Sequence, residues 1–327
     1  MNYYAAPMEG LTDRIWRQVH QKWFGAADAP TRYYAPFLSP PENRVLIPKK
    51  MAELAPEANA GTVVIPQLLA RDGELAAWMI GEVRKLGYTE VNLNFGCPSG
   101  TVTAKGKGAG MLRDPARLDA FLDAVFSAVE GPVSVKTRIG VDEFTGWEFF
   151  EDFIRTVHCA GCDTFIIHAR MARLRGYSPK ENREKPTIHY ETVYKLKEVF
   201  PQLNISVNGD IRTIDQAKEH LKHVDGVMMG RAVYANPWML ATADSEIYGG
   251  KDFAPQTRKA LLEAFLPYVQ KAQAEGCPLS VLTKHLYGIF TGFPGGRKFR
   301  QILSEGAPKA LDGAALIRTA MDAVEEI

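Results

Sequence analysis

Runs of hydrophobic residues recur along the chain at intervals of a few tens of residues. Most of them are continuously apolar rather than alternating, which is typical of strands buried on both faces of a parallel sheet. The pattern predicts strands at residues 3–7, 32–37, 62–69, 90–95, 133–138, 164–169, 204–208 and 226–229.

Helical patterns separate the predicted strands. Pro115 after Asp114 predicts one helix start, and Thr213 three residues before Gln216 predicts another. Strands that alternate with helices in this way form either a barrel or a doubly wound sheet. Eight such units, with no G-x-G-x-x-G after the first strand, favour the barrel. The sequence therefore predicts an α/β fold of the (β/α)8 TIM-barrel class.

The alternation stops near residue 240. Residues 245–256, with Gly249, Gly250 and Pro255, have the composition of a linker. Beyond them the apolar spacing is helical, in three stripes that start at Leu261, Val281 and Leu316. We therefore predict a barrel domain over residues 1–244 and an all-helical domain over residues 256–327.

The composition is that of an ordinary globular protein. The 327 residues include 39 Lys+Arg and 38 Asp+Glu, a net charge of +1, and 46% of them are hydrophobic. This balance excludes a disordered chain and argues against a polybasic protein that coats nucleic acid. We find no apolar run of the roughly 18 residues that a membrane span needs and no signal-peptide pattern. The 4 cysteines make no disulfide framework. We expect a cytoplasmic protein that is not bound to a membrane.

Polar and small residues follow nearly every apolar strand. In a barrel, catalytic groups come from the carboxyl ends of the strands. Stability of the barrel alone does not require polar residues at these strand ends, so the pattern indicates a functional site. The residues at these ends are Pro7-Met8, Gln67, Asn94 to Cys97, Lys136 with Arg138, His168 with Arg170, Asn208-Gly209-Asp210, and Gly230-Arg231.

The last two strand ends have the character of a phosphate site. Barrels commonly bind phosphate at the loops after strands 7 and 8. Gly209 and Gly230 would let backbone amides approach an anion, and Arg231 would add a bidentate donor. Turn glycines beside a surface arginine are the alternative. The occurrence of both pairs on these two strands favours phosphate.

Lys136 lies inside an apolar strand, where an unpartnered lysine is costly. It either reaches water at the rim or lies beside an electron-rich group, such as the N1–C2=O edge of a reduced flavin. His168 admits the same comparison, although a lone histidine is more often a hydrogen-bonded core residue.

Cys97 lies where a strand becomes a loop, between Gly96 and Pro98. A free cysteine is most often a small buried hydrophobe. On a catalytic rim it could instead be a nucleophile or a proton donor. Cys159 and Cys162 match C-x-x-C, but zinc normally needs a second pair of ligands, so we expect packing and no metal.

Eight blocks of the sequence, in order along the predicted barrel, resemble the tRNA-dihydrouridine synthase family. Lys284-His285 and residues 295–304 resemble the helical domain of the same family. The blocks are APMEGLTD (6–13), VNLNFGCP (91–98), GAGML (108–112), VKTRIG (135–140), IHAR (167–170), SPKENR (178–183), VNGDI (207–211) and GVMMGR (226–231).

The resemblance implies an FMN enzyme that reduces uridine in tRNA to 5,6-dihydrouridine with NADPH. In the family, hydride passes from FMN N5 to uracil C6, and a cysteine that Cys97 matches protonates C5. Asn94 and Arg183 match residues that hold the uracil edge. The cofactor-binding positions of the family are matched by Pro7, Met8, Gln67, Lys136, His168, Asn208, Gly209, Asp210, Gly230 and Arg231.

Two segments carry a local positive charge that the overall balance conceals. Residues 170–185 and residues 280–309 each have a net charge of +4. Such patches suit contacts with a phosphate backbone, although charge runs are usually solvated faces. We therefore expect tRNA contacts at Arg170, Arg183, Arg297, Lys298 and Arg300. Residues 178–183 and the tail resemble the group that modifies D-loop positions near 20, whereas residues 8–13 resemble other groups.

Two other functions are compatible with parts of the pattern. An FMN barrel acting on a free pyrimidine would share the flavin chemistry but would not need the basic tail. A non-catalytic tRNA-binding protein would explain the basic patches but not Cys97 and Lys136 at strand ends. We expect the protein to be a monomer.

Overall fold

The fold is described from a computed structural model, which covers residues 2–24, 32–250 and 257–325. The chain divides into two compact units. The first contains the described residues of 1–14 and 31–229, and the second those of 15–30 and 230–327.

The first unit is built around nine parallel strands. Their order in the sheet is β3-β2-β1-β9-β8-β7-β6-β5-β4. Apolar runs form these strands because both of their faces are buried. The strands are β1 (Asn2–Ala5), β2 (Arg32–Tyr34), β3 (Val63–Ile65), β4 (Gln67–Leu68), β5 (Val91–Asn94), β6 (Val133–Arg138), β7 (Thr164–His168), β8 (Asn204–Asn208) and β9 (Gly226–Met229).

The barrel closes at residues 62–69, which the sequence predicts as one strand. In the structure they form two strands, β3 and β4. Pro66 separates β3 from β4 because proline has no backbone N–H to give to a ladder. β3 pairs with β2, and β4 pairs with β5. The Pro66 carbonyl accepts a hydrogen bond from the Asn92 amide at 2.9 Å. The two edges of the sheet therefore lie on one short stretch of chain, and the predicted TIM-barrel fold is confirmed.

Thirteen α-helices join and follow the strands in the described residues. Asp114 and Thr213 cap α5 and α8 as the sequence predicts, accepting from the amides of Arg117 and Gln216. The helices are α1 (Arg14–Phe24), α2 (Pro48–Met51), α3 (Gly73–Lys85), α4 (Gly100–Thr103), α5 (Pro115–Phe126), α6 (Trp147–Cys159), α7 (Tyr190–Val199), α8 (Ile214–His220), α9 (Arg231–Ala235), α10 (Arg258–Ala274), α11 (Leu279–Thr283), α12 (Gly296–Gly306) and α13 (Gly313–Asp322).

The barrel interior changes from apolar to polar along the strands. Tyr4, Tyr34, Ile166 and Met228 belong to one buried apolar cluster. Side chains two residues apart on a strand point to the same side, so His168 follows Ile166 toward the carboxyl end of the barrel. Register places polar residues of neighbouring strands side by side there: Asn94 with Lys136, Arg138 with His168, and His168 with Asn208.

The second unit is helical apart from its loops. The predicted apolar stripe of α10 is buried, and the rings of Phe290 and Phe299 pack edge to face at 4.9 Å. The first residues of the predicted linker, 245–248, belong to a single π-helical turn that spans Asp244–Tyr248, while residues 251–256 lie outside the described residues. Across the described chain, no helix combines the length and the apolar character that crossing a membrane requires. The domain bounds 1–244 and 256–327 stay predictions.

Candidate active site at the carboxyl ends of the strands

A chain of side-chain amides links three neighbouring strands at the rim. Gln67 on β4 donates to Asn92 Oδ1 at 2.7 Å and accepts from Asn94 Nδ2 at 2.8 Å. Asn92 in turn donates to the Ser134 hydroxyl on β6 at 3.0 Å. Because all these groups are buried and paired, the orientation of Gln67 is determined by its neighbours.

Asn94 also shapes the turn that carries Cys97. Its Oδ1 accepts hydrogen bonds from the amides of Gly96 and Cys97 at 3.0 and 2.9 Å, as asparagine does at many turns. The Cys97 carbonyl accepts from the Ala109 amide at 3.0 Å. A side chain on Gly108 (φ +59°) would place its Cβ 2.6 Å from that carbonyl oxygen. The glycine-rich segment after Cys97 therefore folds back against it.

Arg138 connects three separate segments around the site. Its Nε donates to the Gly96 carbonyl, and its Nη1 donates to the carbonyls of Met171 and Asn182, all at 3.0 Å. Only 3% of the residue is exposed. One guanidinium thus holds the residue before Cys97 and the residue before Arg183. Arg138 stands at a predicted strand end, but the sequence pattern indicates no role for it; its position two residues after Lys136 is the available signal.

Lys136 is a partly buried cation with a neutral partner. Its Nζ donates to Asn208 Oδ1 at 3.0 Å, and Asn208 Nδ2 donates to the Met228 carbonyl at 2.8 Å. Burial, with a smaller contribution from the charge of Arg138, lowers the pKa of Lys136 to about 7, and Cys97 opposes part of the shift. No carboxylate in the described residues forms an ion pair with Lys136. Such a site favours an electron-rich ligand that would keep the ammonium protonated.

The Cys97 thiol lies in the same positive environment. Burial raises its pKa, while a backbone hydrogen bond from Ser99 and the charges of Arg138, Lys136 and Arg183 reduce the rise. The group therefore stays a thiol at neutral pH. Of the two roles that the sequence left open, this protonation state suits a proton donor better than a nucleophile.

The family model of dihydrouridine synthase (Dus) matches residues 4–325 of this chain. The chain belongs to the dihydrouridine synthase family. The predicted resemblance is thus confirmed, and the chain is an enzyme of a family whose members are generally flavin-dependent oxidoreductases.

Three relatives of the dihydrouridine synthase family illustrate the similarity. The tRNA-dihydrouridine(20/20a) synthase of Shewanella oneidensis is 46% identical over 80% of this chain and 75% of its own length. The enzyme of the same name from Yersinia pestis is 44% identical over 78% and 72%. The one from Escherichia coli K12 is 45% identical over 75% and 69%.

The remaining predicted site residues of this family member are divided between the two units. In the first unit, Pro7 and Met8 follow β1, and Gly209 and Asp210 follow β8. His168 and Arg170 are buried there, with the His168 Nδ1 accepting from the Arg170 amide at 3.3 Å, whereas Arg183 is exposed. In the second unit, Gly230 is the N-cap residue and Arg231 the first residue of α9. The side chains of Arg297, Lys298 and Arg300 are exposed on α12.

Direct hydrogen bonds bring pairs of predicted residues together: Gln67 with Asn94, Asn94 with Cys97, Lys136 with Asn208, His168 with Arg170, and Arg170 with Asp210. Arg170 is buried, whereas a residue that contacts RNA is expected to be exposed. It is 5% exposed, and its guanidinium donates to the Pro186 carbonyl at 2.7 Å and to Asp210 at 3.4 Å. Its contact with tRNA stays a prediction from the sequence.

The lowered pKa of Lys136 has a consequence for stability without flavin. Between about pH 7 and pH 10 the unfolded chain holds a proton on Lys136 that the folded chain lacks, so folding becomes more favourable as pH rises. Lys136→Met removes this dependence. Below about pH 7 the variant should have the higher free energy of unfolding, because the wild type then buries a charged ammonium group. The difference in free energy of unfolding between the variant and the wild type should therefore decrease as the pH rises to about 10. Urea unfolding at several pH values measures it, with the exposed Lys222→Met as control, and a pH-independent difference would contradict the expectation.

Proposed function

We propose that this protein reduces uridine in tRNA to 5,6-dihydrouridine at positions 20 and 20a, with bound FMN as cofactor and NADPH as reductant. The observation that carries the proposal is the partly buried thiol of Cys97, which lies on the turn held by Asn94 and on the same rim as Lys136, one of the charges that lower its pKa against the effect of burial. Relatives that are 44–46% identical are named tRNA-dihydrouridine(20/20a) synthases, which supports both the substrate and the positions.

The first unit offers side chains that fit a flavin. Lys136, partly buried beside a neutral amide, would face the electron-rich edge of the ring, and Gln67 on β4 and His168 on β7 would also contact the ring. Asn208, Gly209 and Asp210 would lie at the phosphate. Bound FMN, once reduced by NADPH, would supply the hydride for uracil C6. The roles of Pro7, Met8, Gly230 and Arg231 in binding FMN are proposed from the sequence.

The residues of the chain have separate tasks toward the base. Uracil must leave its stack to enter the site, as in other base-modifying enzymes. Asn94 Nδ2 donates one of its two hydrogens to Gln67, and the second could be donated to the uracil edge. Arg183 holds the same edge from the loop that Arg138 anchors. The Cys97 thiol gives its proton to uracil C5, and because the residue is partly exposed, solvent can restore that proton.

The test is incubation of unmodified tRNA with the protein, FMN and NADPH, followed by mass mapping of dihydrouridine. Dihydrouridine at positions 20 and 20a is the expected result. Turnover of free uracil with none on tRNA would instead indicate a small-molecule enzyme. A colourless protein that takes up no FMN would contradict the cofactor. That the protein is monomeric and works in the cytoplasm stays a prediction.

Charge reversal on α12 tests the predicted RNA contact of the tail. Replacing Arg297, Lys298 and Arg300 with glutamate should weaken tRNA binding and reduce the slope of log K against log salt by about 2–3. The three side chains are exposed, so the fold should survive. Filter binding at several salt concentrations measures the slope. Lys271→Glu on α10, also exposed, is the control, and an unchanged affinity of the triple variant would show the assignment to be wrong.

A further inference from the structure

The turn that follows β8 has an unusual backbone. Gly209 has φ +123° and Asp210 has φ +55°. A Cβ on residue 209 would lie 3.2 Å from His168 Cε1 and 3.3 Å from Ile188 Cδ1, so this position needs glycine for two reasons. Asp210 is not glycine, and a left-handed backbone there persists only if the surroundings hold it.

Tyr190, the first residue of α7, holds this turn from a distance of 19 residues along the chain. Its hydroxyl donates to the Gly209 carbonyl at 2.6 Å. The ring is supported by His220 on α8, with centroids 4.3 Å apart. Burial, with a contribution from the charge of Asp210, raises the pKa of Tyr190 to about 12. The hydroxyl therefore remains a donor throughout the working range of pH.

The acidic side chain of the turn is neutralised by two guanidinium groups. Arg212 donates to both Asp210 oxygens at 3.0 and 3.1 Å, and Arg170 donates to one at 3.4 Å. A glycine turn whose acidic side chain is compensated by two guanidinium groups suits an anionic ligand.

We propose that Tyr190 is a positioning residue for the phosphate group of FMN. By engaging the Gly209 carbonyl, its hydroxyl keeps the turn in the conformation that receives the phosphate. The inference rests on the proposed function, since it takes FMN as the ligand. Tyr190 itself touches the turn and not the ring system of the flavin, so its effect should be confined to the phosphate end.

A comparison of two flavins separates this role from general support of the fold. FMN and riboflavin differ by the phosphate group alone. Flavin-free wild type, Tyr190→Phe and Tyr194→Phe would be titrated with each flavin, and binding followed by flavin fluorescence. Tyr194 lies one helical turn further along α7, and its hydroxyl contacts His220 Nδ1 at 2.7 Å, so it is a matched control. Thermal unfolding checks that both variants fold.

The expected result is a Kd for FMN that rises about five- to tenfold in Tyr190→Phe, with the Kd for riboflavin unchanged. Tyr194→Phe should bind both flavins as the wild type does. Equal weakening of both flavins in Tyr190→Phe, or no weakening of either, would overturn the positioning role while FMN binding by the wild type stands. Wild-type protein that binds neither flavin would overturn the proposed cofactor and this inference with it.

Discussion

Cys97→Ala is expected to lower the rate of dihydrouridine formation by about 10²- to 10⁴-fold, the usual contribution of a positioned acid. Burial keeps the thiol protonated, and Asn94 holds the turn that presents it. Alanine removes the proton donor and little volume, so FMN and tRNA should still bind. Mass mapping of dihydrouridine under single-turnover conditions measures the loss.

Cys159→Ala is the matched control for this experiment. Cys159 is exposed at the end of α6, where the chain approaches the amino end of β7, away from the carboxyl rim. Its replacement should leave the rate unchanged. Turnover close to wild type in Cys97→Ala would remove Cys97 from the mechanism, and loss of bound FMN in that variant would assign it a different task.

Arg138→Met is expected to lower both stability and activity. The substitution leaves the carbonyls of Gly96, Met171 and Asn182 without the donor that serves them. A buried acceptor that loses its partner costs about 1–3 kcal/mol, so we expect a loss of about 2–4 kcal/mol after local relaxation. The turn before Cys97 and the loop before Arg183 lose their common anchor, so turnover should also fall.

Urea unfolding and kcat measurements on the folded variant test the two effects separately. Arg155→Met on α6 is the control, because its salt bridge with Glu151 is solvent-exposed and should be worth less than about 1 kcal/mol. Wild-type stability in Arg138→Met would show that the three carbonyls find other partners. Wild-type turnover would show that Cys97 and Arg183 do not depend on the anchor.

The sequence predicted the strands well because strand burial leaves a local signal. Three predicted strands have the observed bounds: Val133–Arg138, Asn204–Asn208 and Gly226–Met229. The division of residues 62–69 at Pro66 was missed, although proline is the residue that interrupts a ladder. The error arose because the apolar run continues across Pro66, and hydrophobicity alone does not report a missing N–H.

The sequence by itself determined that polar residues gather at one end of a parallel barrel, since carboxyl ends of parallel strands coincide. Only the tertiary structure decided which groups meet there. Arg138 binds backbone carbonyls up to 44 residues away, and Tyr190 binds that of Gly209. Every residue carries such a carbonyl, so these acceptors have no signature in a sequence. The protonation states of Cys97 and Lys136 depend on burial and neighbouring charge, which likewise exist only in the folded chain.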